Sequence, residues 1–532
     1  MELMPRQIAA DRRDDLRPGG STDPALLEAL ATPATYGQDL PVAVHETHAS
    51  WVFVAGERAY KIKKPVALGF LDYSTLSRRH AACREEVRVN QDLAADIYLG
   101  VRALIRTAHG FRLAGEGADG AVEYAVEMQS FDERDTLAGV IAAGDLTPVH
   151  IQDIARRLAS FHSSAPVVGG AGPSEVLASW RANIQELDRL RHPDRWNVAV
   201  TAGFAEAFVR AHRREIEQRA RDQHIRDGHG DLRCEHVLAR GAIRIVDRIE
   251  FDPALRHTDV ACDLAFLTMD LEALGQRWAA RELVNAYRQA GGSPGSESLR
   301  AFYAAHRALV RTKVTLIDAA GHEPDAGGSR HQHVTRLWAL AEQLCWRARR
   351  PLVIVVCGPA GSGKSTLAAE LARRSQLEVV ASDAIRKRRA GLAPTERARP
   401  EHYSGQFTQA TYELLGRGAL ARLRRDGGVI VDATCRTSSQ RAQLLQWLDG
   451  HAATRVIVLC QVTRETALAR AGRRMQRADR VSDATPQIVA EQFDAFEPLD
   501  ELAARSVLAL DAEQTLDMQV AEVTRAVDDR LG

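Results

Sequence analysis

The 532-residue chain has no excess of charge of either sign, with 70 lysines and arginines against 70 aspartates and glutamates. No global field draws such a protein to nucleic acid or to an anionic membrane, so any recognition of a polyanion has to be local. Long apolar runs are missing as well, since no stretch approaches the ~18 residues a membrane helix needs. The opening "MELMPRQIAADRRDDLRPGG" has no apolar segment of the secretory kind. Cysteine is sparse: the seven residues Cys83, Cys234, Cys262, Cys345, Cys357, Cys435 and Cys460 show no C-x-x-C spacing. That count is odd and argues for a reducing compartment rather than a disulfide framework. No internal repeat is present. These absences leave a soluble, cytoplasmic protein whose length allows roughly three domain-sized units, or two domains of which one is bilobal.

The pattern along the chain changes character near residue 350. Residues 1–30 read as a charged, Gly/Pro-punctuated arm. "WVFVAGERAYKIKKPV" (51–66) sets two apolar runs about the turn signal Ala55-Gly56-Glu57, and "STLSRRHAACREEVRVNQDLA" (74–94) has helical periodicity. "VRALIRT", "FRLAG" and "VEYAVEMQSF" add strands, which gives a small β-rich lobe over about 31–130. A mostly helical lobe follows over about 131–345, interrupted by a hairpin around Gly241. "GHEPDAGGSRHQH" (321–333) reads as a flexible insertion in which the H-x-H pair lacks a third ligand, and "WRARRP" (346–351) as the domain junction. From 350 to 532, short buried strands alternate with helices, the pattern of a parallel sheet covered on both faces. The expected fold class is α+β followed by α/β.

"VCGPAGSGKSTLAAEL" carries the sharpest chemical signal. Gly358, Pro359, Ala360, Gly361, Ser362, Gly363, Lys364, Ser365 and Thr366 form G-x-x-x-x-G-K-S/T between an apolar strand and a helix. Glycines let backbone N–H groups close on phosphates, Lys364 offsets their charge and Ser365 reaches Mg²⁺. Two aspartates end neighbouring strands, Asp383 in "VVASDAIRKRR" and Asp432 in "GVIVDATCRTSSQR". Each is placed for chemistry or, alternatively, for capping a helix. Arg470 and Arg474 share one face of a later helix, either over the phosphates or as solvated surface. Residues 351–532 resemble P-loop kinases of the polynucleotide 5′-kinase, gluconate kinase and zeta toxin type. The resemblance implies that Ser382-Asp383-Ala384-Ile385-Arg386 holds the accepting hydroxyl and that Arg470 or Arg474 lies over the transferred phosphate.

The second signal is "HGDLRCEHVL" (229–238). Asp231 and His236 stand five apart, the spacing of a kinase catalytic base and the residue that helps hold the metal. Asp247 ends the strand "AIRIVD" eleven residues later. The segment resembles aminoglycoside phosphotransferase-like kinases, whose loop commonly reads H-G-D-L-H-x-x-N, and His236 departs from it in replacing the asparagine. Imidazole suits Mn²⁺ and other borderline metals better than Mg²⁺. The resemblance extends over residues 40 to about 345. It implies an ATP-binding lysine in "AYKIKKP", a partner Glu86 in "CREEVRVNQDLA" and an adenine hinge at Met128 in "EYAVEMQSF". Lys61 and Lys63 point to one face of their strand, with Lys63 preferred by its place before the proline.

The pairing resembles bacterial proteins described as bifunctional phosphotransferase/ATP-binding. It implies two sites that transfer the γ-phosphate of ATP, with Mg²⁺ or, at the first site, Mn²⁺, to hydroxyls of small molecules. A 5′-hydroxyl nucleic-acid end is retained as an acceptor, and membrane partners are not expected. Two alternatives stay open: a silent kinase-like sensor regulating the P-loop kinase, and a nucleotide-dependent switch without an acceptor.

Overall fold

The computed structural model describes residues 24–47, 49–68, 71–108, 110–190, 198–320, 328–475 and 485–531. The expected arm therefore lies outside the described residues up to position 23, and the helix Pro24–Leu30 follows it. The chain forms two compact units: residues 1–172 with 218–295, and residues 173–217 with 296–532.

The first unit is built on an antiparallel sheet. Its strands are β1 (Val42–Glu46), β2 (Ser50–Ala55) and β3 (Arg58–Lys63), then β6 (Tyr98–Thr107), β7 (Gly110–Gly115) and β8 (Ala121–Gln129), after a small β4 (Ala67–Leu68) and β5 (Leu71–Asp72) hairpin. The order is β1-β2-β3-β8-β6-β7. Gly56, at φ +60°, turns β2 into β3, where a side chain would be strained. Alternation along these strands then sorts the residues. Trp51, Phe53, Tyr60 and Ile62 point to one face and pack with Leu26, Leu30 and Leu104. Ala59, Val52, Val54, Val126 and Met128 line the other with Tyr98, Leu238 and Val246. Burying each large side chain of the first set stabilises the sheet by about 1.5–3 kcal/mol. The helix Leu76–Ala94, capped by the Thr75 hydroxyl, covers the second face.

Leu238 and Val246 belong to the second lobe of this unit. Its core joins the helices Pro148–Ser164, Val260–Ala273 and Arg277–Gln289 to the loop residues Leu232 and Cys234. β9 (Ile225–Asp227) pairs with β12 (His257–Asp259), and β10 (Val237–Leu238) with β11 (Arg244–Ile245) about Gly241. The hairpin expected there is present, and it sets Asp247 just past the end of β11.

The second unit contains a five-stranded parallel sheet of β13 (Leu352–Cys357), β14 (Val379–Ala381), β15 (Gly428–Asp432), β16 (Thr454–Gln461) and β17 (Val507–Asp511), in the order β14-β15-β13-β16-β17. Every residue of β13 is buried, which explains its unbroken apolar run. Leu352, Ile354 and Val356 pack with Leu367 and Leu371 of the helix Lys364–Ser375 and with Val523 and Val527. Val353, Val355 and Cys357 pack on the opposite face with Tyr412, Leu415 and Ala419. β13 thus lies at the centre, where the strand order reverses and a crevice opens beyond the carboxyl ends.

The segment 346–351, expected as the domain junction, is closely packed. The helix Ser329–Ala348 runs almost to Pro351, and Trp346 (1% exposed) belongs to the core of the parallel sheet. Arg349 makes a buried, two-bonded pair with Asp528 at 2.7 and 2.9 Å while lying over the Phe204 ring. Residues 173–217 and 296–348 accordingly pack with the P-loop part, a division different from the expected one near 345–350. His331 and His333 sit on the Ser329–Ala348 helix and not in a loop, while 321–327, the rest of the expected insertion, lie outside the described residues. All seven cysteines are free and buried. Among the described residues, no helix is long and apolar enough to cross a membrane.

Candidate active sites

In the first unit, β3 places Ala59, Lys61 and Lys63 on the face that carries Met128, Leu238 and Val246, so two cations border an apolar slot. Both reach Glu86, which is fully buried: Lys61 Nζ at 2.8 Å and Lys63 Nζ at 2.5 Å. Their second partners separate them. Lys61 donates to Asp247 Oδ1 at 2.7 Å, whereas Lys63, 2% exposed, is bonded to Glu250, which also accepts from the Tyr73 hydroxyl at 2.8 Å. Burial works against the charge on Lys61, but Asp247 and Glu86 outweigh it and hold the ammonium protonated well beyond its usual range. Burial likewise opposes the charge on Asp247; Lys61, with His236 behind it, nonetheless keeps that carboxyl well below the carboxylate range.

Asp247 has φ +62°, a left-handed conformation that costs a non-glycine residue of order 1 kcal/mol or more. Its N–H donates to the Tyr98 hydroxyl at 3.0 Å, which holds the strained turn in place. The loop 229–236 is fixed from behind by Asp263, whose carboxylate accepts from the N–H groups of His229 (2.5 Å) and Gly230 (2.9 Å). At Gly228 a Cβ would lie 2.3 Å from that carboxylate, so a side chain there has no room. His229 donates from Nε2 to the Val246 carbonyl at 2.9 Å and accepts the Asp231 N–H on Nδ1 at 3.3 Å. Burial, reinforced by His236, lowers its pKa to about 4.

Asp231 and His236 are brought together as their spacing implied, with Arg233 between them. Arg233 Nε donates to Asp231 Oδ2 at 3.0 Å, its Nη1 pairs with Glu235, and its Nη2 donates to His236 Nε2 at 2.9 Å. The other ring nitrogen of His236, Nδ1, donates to the Asp231 carbonyl at 2.8 Å. With both nitrogens engaged, His236 does not fit the expected role of metal ligand. Asp247, with 43% of its side chain exposed, does fit one. Among the described residues, no three His, Cys, Asp or Glu converge as a cation-binding set.

In the second unit, Gly358, Gly361 and Gly363 adopt φ of +136°, +82° and +96°. A Cβ on Gly358 would lie 2.8 Å from the Cys460 carbonyl, and one on Gly361 2.7 Å from that of Ala467. The loop thus requires glycine for both conformation and close approach. Lys364 folds back to donate to the Pro359 carbonyl at 2.8 Å, and Ser365 is exposed at the first turn of its helix. β15 pairs in register with β13 (Val356 opposite Asp432) and with β14 (Ala381 opposite Asp432), which lays Asp432, 9% exposed, beside the P-loop strand. Ser365 and Asp432 fit the holding of a divalent cation.

Asp383 lies in the first turn of the helix Ser382–Arg389, whose N-cap is Ala381. It is therefore not the cap that was its alternative role. Arg386, one turn on and 7% exposed, donates to the His402 carbonyl at 3.1 Å and lies over the Tyr403 ring at 4.5 Å. Its Nε is buried without a hydrogen bond, and no described carboxylate pairs with it. Arg470 reaches across the P-loop, donating to the carbonyls of Ser362 (3.4 Å) and Ala512 (2.9 Å), and borders a cleft of about 370 Å³ together with Gly363, Thr366, Arg473 and Gln514. The side chain of Arg474 lies outside the described residues. Reasoning from the sequence missed Arg233, which stands inside the 229–238 motif, and Asp263, which lies 25 residues beyond the end of that motif and holds the loop from behind.

The family model for an AAA domain matches residues 353–499. Among solved structures, a choline/ethanolamine kinase family protein from Mesorhizobium loti is 18% identical, covering 60% of this chain and 95% of its own at a TM-score of 0.36. A gluconokinase from Sinorhizobium meliloti 1021 is 20% identical, covering 34% and 93% at a TM-score of 0.26. An uncharacterized protein of Mycobacterium tuberculosis (strain ATCC 25618 / H37Rv), Rv2004c, is 32% identical over 469 residues, covering 84% of this chain and 89% of the relative. At that identity and coverage, this chain belongs to the family of that mycobacterial protein.

Proposed function

We propose that the chain is a two-site, ATP-dependent phosphotransferase acting on hydroxyl groups of small molecules. The observation that supports this reading is that each compact unit has its own cluster of the expected residues: Lys61 joined to Glu86 and Asp247 in one, and Asp432 at the end of a strand that pairs with the P-loop strand in the other. In the first unit the adenine ring lies in the slot of Ala59, Met128, Leu238 and Val246, Lys61 binds phosphate, and Asp231 takes the proton of the accepting hydroxyl. Lys63 is structural, since its charge is spent on Glu86 and Glu250. In the second unit the backbone N–H groups and Lys364 cradle the phosphates, and Arg470 closes over the nucleotide beside the cleft. Asp383 orients the acceptor and removes its proton. A divalent cation bound by Ser365 and Asp432 supplies charge compensation for the phosphates. The buried Arg386, lacking a carboxylate, favours an acceptor that bears an oxyanion.

The test is phosphate transfer by the full chain to sugars, aminoglycosides, nucleosides, sugar acids and 5′-hydroxyl oligonucleotides. Lys364→Ala should abolish one set of products and Asp231→Asn another. Loss of both sets from either single change in a folded protein would sink the two-site reading. A second reading, in which the first unit binds nucleotide without turnover and regulates the P-loop unit, is favoured by the Arg233 bond to Asp231. It predicts nucleotide binding, but no product that depends on Asp231.

A further inference from the structure

Resting on the first-site reading above, we infer that Arg233, fixed by His236, is a built-in cation standing where a protein-kinase-like site holds a second metal ion, so that the first site takes one divalent cation per nucleotide. Sites of this kind draw two cations to the phosphates, one through the aspartate after the hairpin and one through the loop residue five beyond the base. Here the aspartate, Asp247, is in place, but the loop residue has no coordinating atom to spare. His236 donates from Nδ1 to the Asp231 carbonyl at 2.8 Å, which fixes the tautomer and leaves the lone pair on Nε2. That lone pair receives Arg233 Nη2 at 2.9 Å.

The guanidinium is itself well held. Arg233 is 9% exposed and bonded to Asp231 Oδ2, Glu235 and His236. For a metal ion to reach His236 Nε2 it would have to break the Arg233 Nη2 bond and stand beside a guanidinium still paired with Asp231 and Glu235, cation against cation. The charge pattern agrees. Asp231, Glu235 and Asp247 bring three negative charges around this loop, and His236 Nε2 lies 3.5 Å from Asp247 Oδ2. Arg233 supplies the positive charge at that junction at any pH the protein meets, because guanidinium does not deprotonate. Of its five N–H donors, three are engaged with Asp231, Glu235 and His236, so two remain to meet phosphate oxygens. An asparagine at 236 would offer a carbonyl oxygen to a hard cation; the histidine offers a nitrogen acceptor to arginine instead. His236 is thus a positioning residue for Arg233.

The experiment counts metal ions rather than turnover. Mn²⁺ and a non-hydrolysable ATP analogue are titrated into the full-length Lys364→Ala chain, and bound Mn²⁺ is read from loss of the free-ion EPR signal while bound nucleotide is measured in parallel. One Mn²⁺ per nucleotide is expected. Arg233→Ala should raise the ratio above one, and His236→Asn, which frees the loop position with a smaller change, should do the same. Two ions per nucleotide in the parent chain, or a ratio unmoved by both variants while nucleotide still binds, would overturn the inference and leave the first-site reading intact. Absence of any nucleotide bound through Lys61, shown by identical titrations with Lys61→Ala, would overturn that reading and the inference with it.

Discussion

At the first site Lys61, Lys63, Glu86 and Asp247, and beside them Asp231, Arg233 and His236, are joined by ion pairs and hydrogen bonds, whereas at the P-loop site Arg386 is buried and, among the described residues, forms no ion pair with a carboxylate. The difference follows from how each site is made. A kinase-like cleft assembles side chains from strand, helix and loop, and those charges have to be balanced by one another when no ligand is bound. A P-loop assembles backbone N–H groups at the start of a helix, and its charge-carrying side chains are left to face the ligand. On the proposed reading, the first site has to exchange partners when nucleotide binds, with Asp247 leaving Lys61. The second has mainly to be filled.

The sharpest way to break this contrast is to remove one carboxylate from the open site. Asp383→Asn should leave nucleotide affinity near its parent value and lower phosphoryl transfer by ~10²–10⁴-fold, because in the proposed mechanism the side chain serves the acceptor and not the phosphates. Asp432→Asn should instead raise the Mg²⁺ concentration needed for half-maximal transfer. Nucleotide binding and single-turnover transfer measured on both full-length variants separate the two roles. Unchanged transfer by Asp383→Asn would leave that aspartate without a chemical function.

In the closed site the expected effects divide between function and stability. Lys61→Ala should weaken nucleotide binding at the first unit with the smaller loss of stability, since Glu86 loses one partner in either variant but Asp247, 43% exposed, can turn to solvent. Lys63→Ala leaves Glu250 (8% exposed) unpaired and Glu86 with one partner fewer, so it should cost about 3–5 kcal/mol by urea denaturation. Equal stability losses from the two substitutions would mean that the lysines are interchangeable and the network is not divided as described.

Much of this was legible beforehand, for physical reasons. The strand–glycine loop–helix of 352–375 and the unbroken apolar runs of the parallel sheet are local signals that tertiary context did not override. Period-two alternation put Lys61 and Lys63 on one face, and Glu86 does bind both. Alternation could not choose between them, because the deciding contacts, Asp247 and Glu250, lie more than 180 residues away in sequence. His236 departs from an asparagine in the sequence, but the Asp231 carbonyl and Arg233 take up its two ring nitrogens, and spacing does not reveal those bonds. The segment 346–351 reads as a domain junction because arginines and a proline cluster there. Trp346 and Arg349 are nonetheless buried, held by a core and by an aspartate near the end of the chain.

The smallest expected effect is in acid, and it tests whether burial of a titratable group inside the closed network has a measurable consequence. His229 has its pKa lowered to about 4 by burial and by His236, and His306, in the second unit, is lowered to about 3 by burial and by Arg307. An unfolded histidine titrates near 6.5, so between that value and the folded one the unfolded chain holds a proton that the folded chain does not. Stability from each group is therefore intact above about pH 6.5 and declines as the pH falls toward 4, by about 1.4 kcal/mol for each unit of pH inside the window. The two histidines act in the same direction, one in each unit. His229→Asn should flatten the loss of urea midpoint between pH 6.5 and 5.5 for the unit that carries the first site, and His306→Gln should do so for the other. If the His229 variant lost as much stability over that interval as the parent chain, the imidazole would have to be protonated in the folded state, and the hydrogen bond that Nδ1 accepts from the Asp231 N–H would not exist as described.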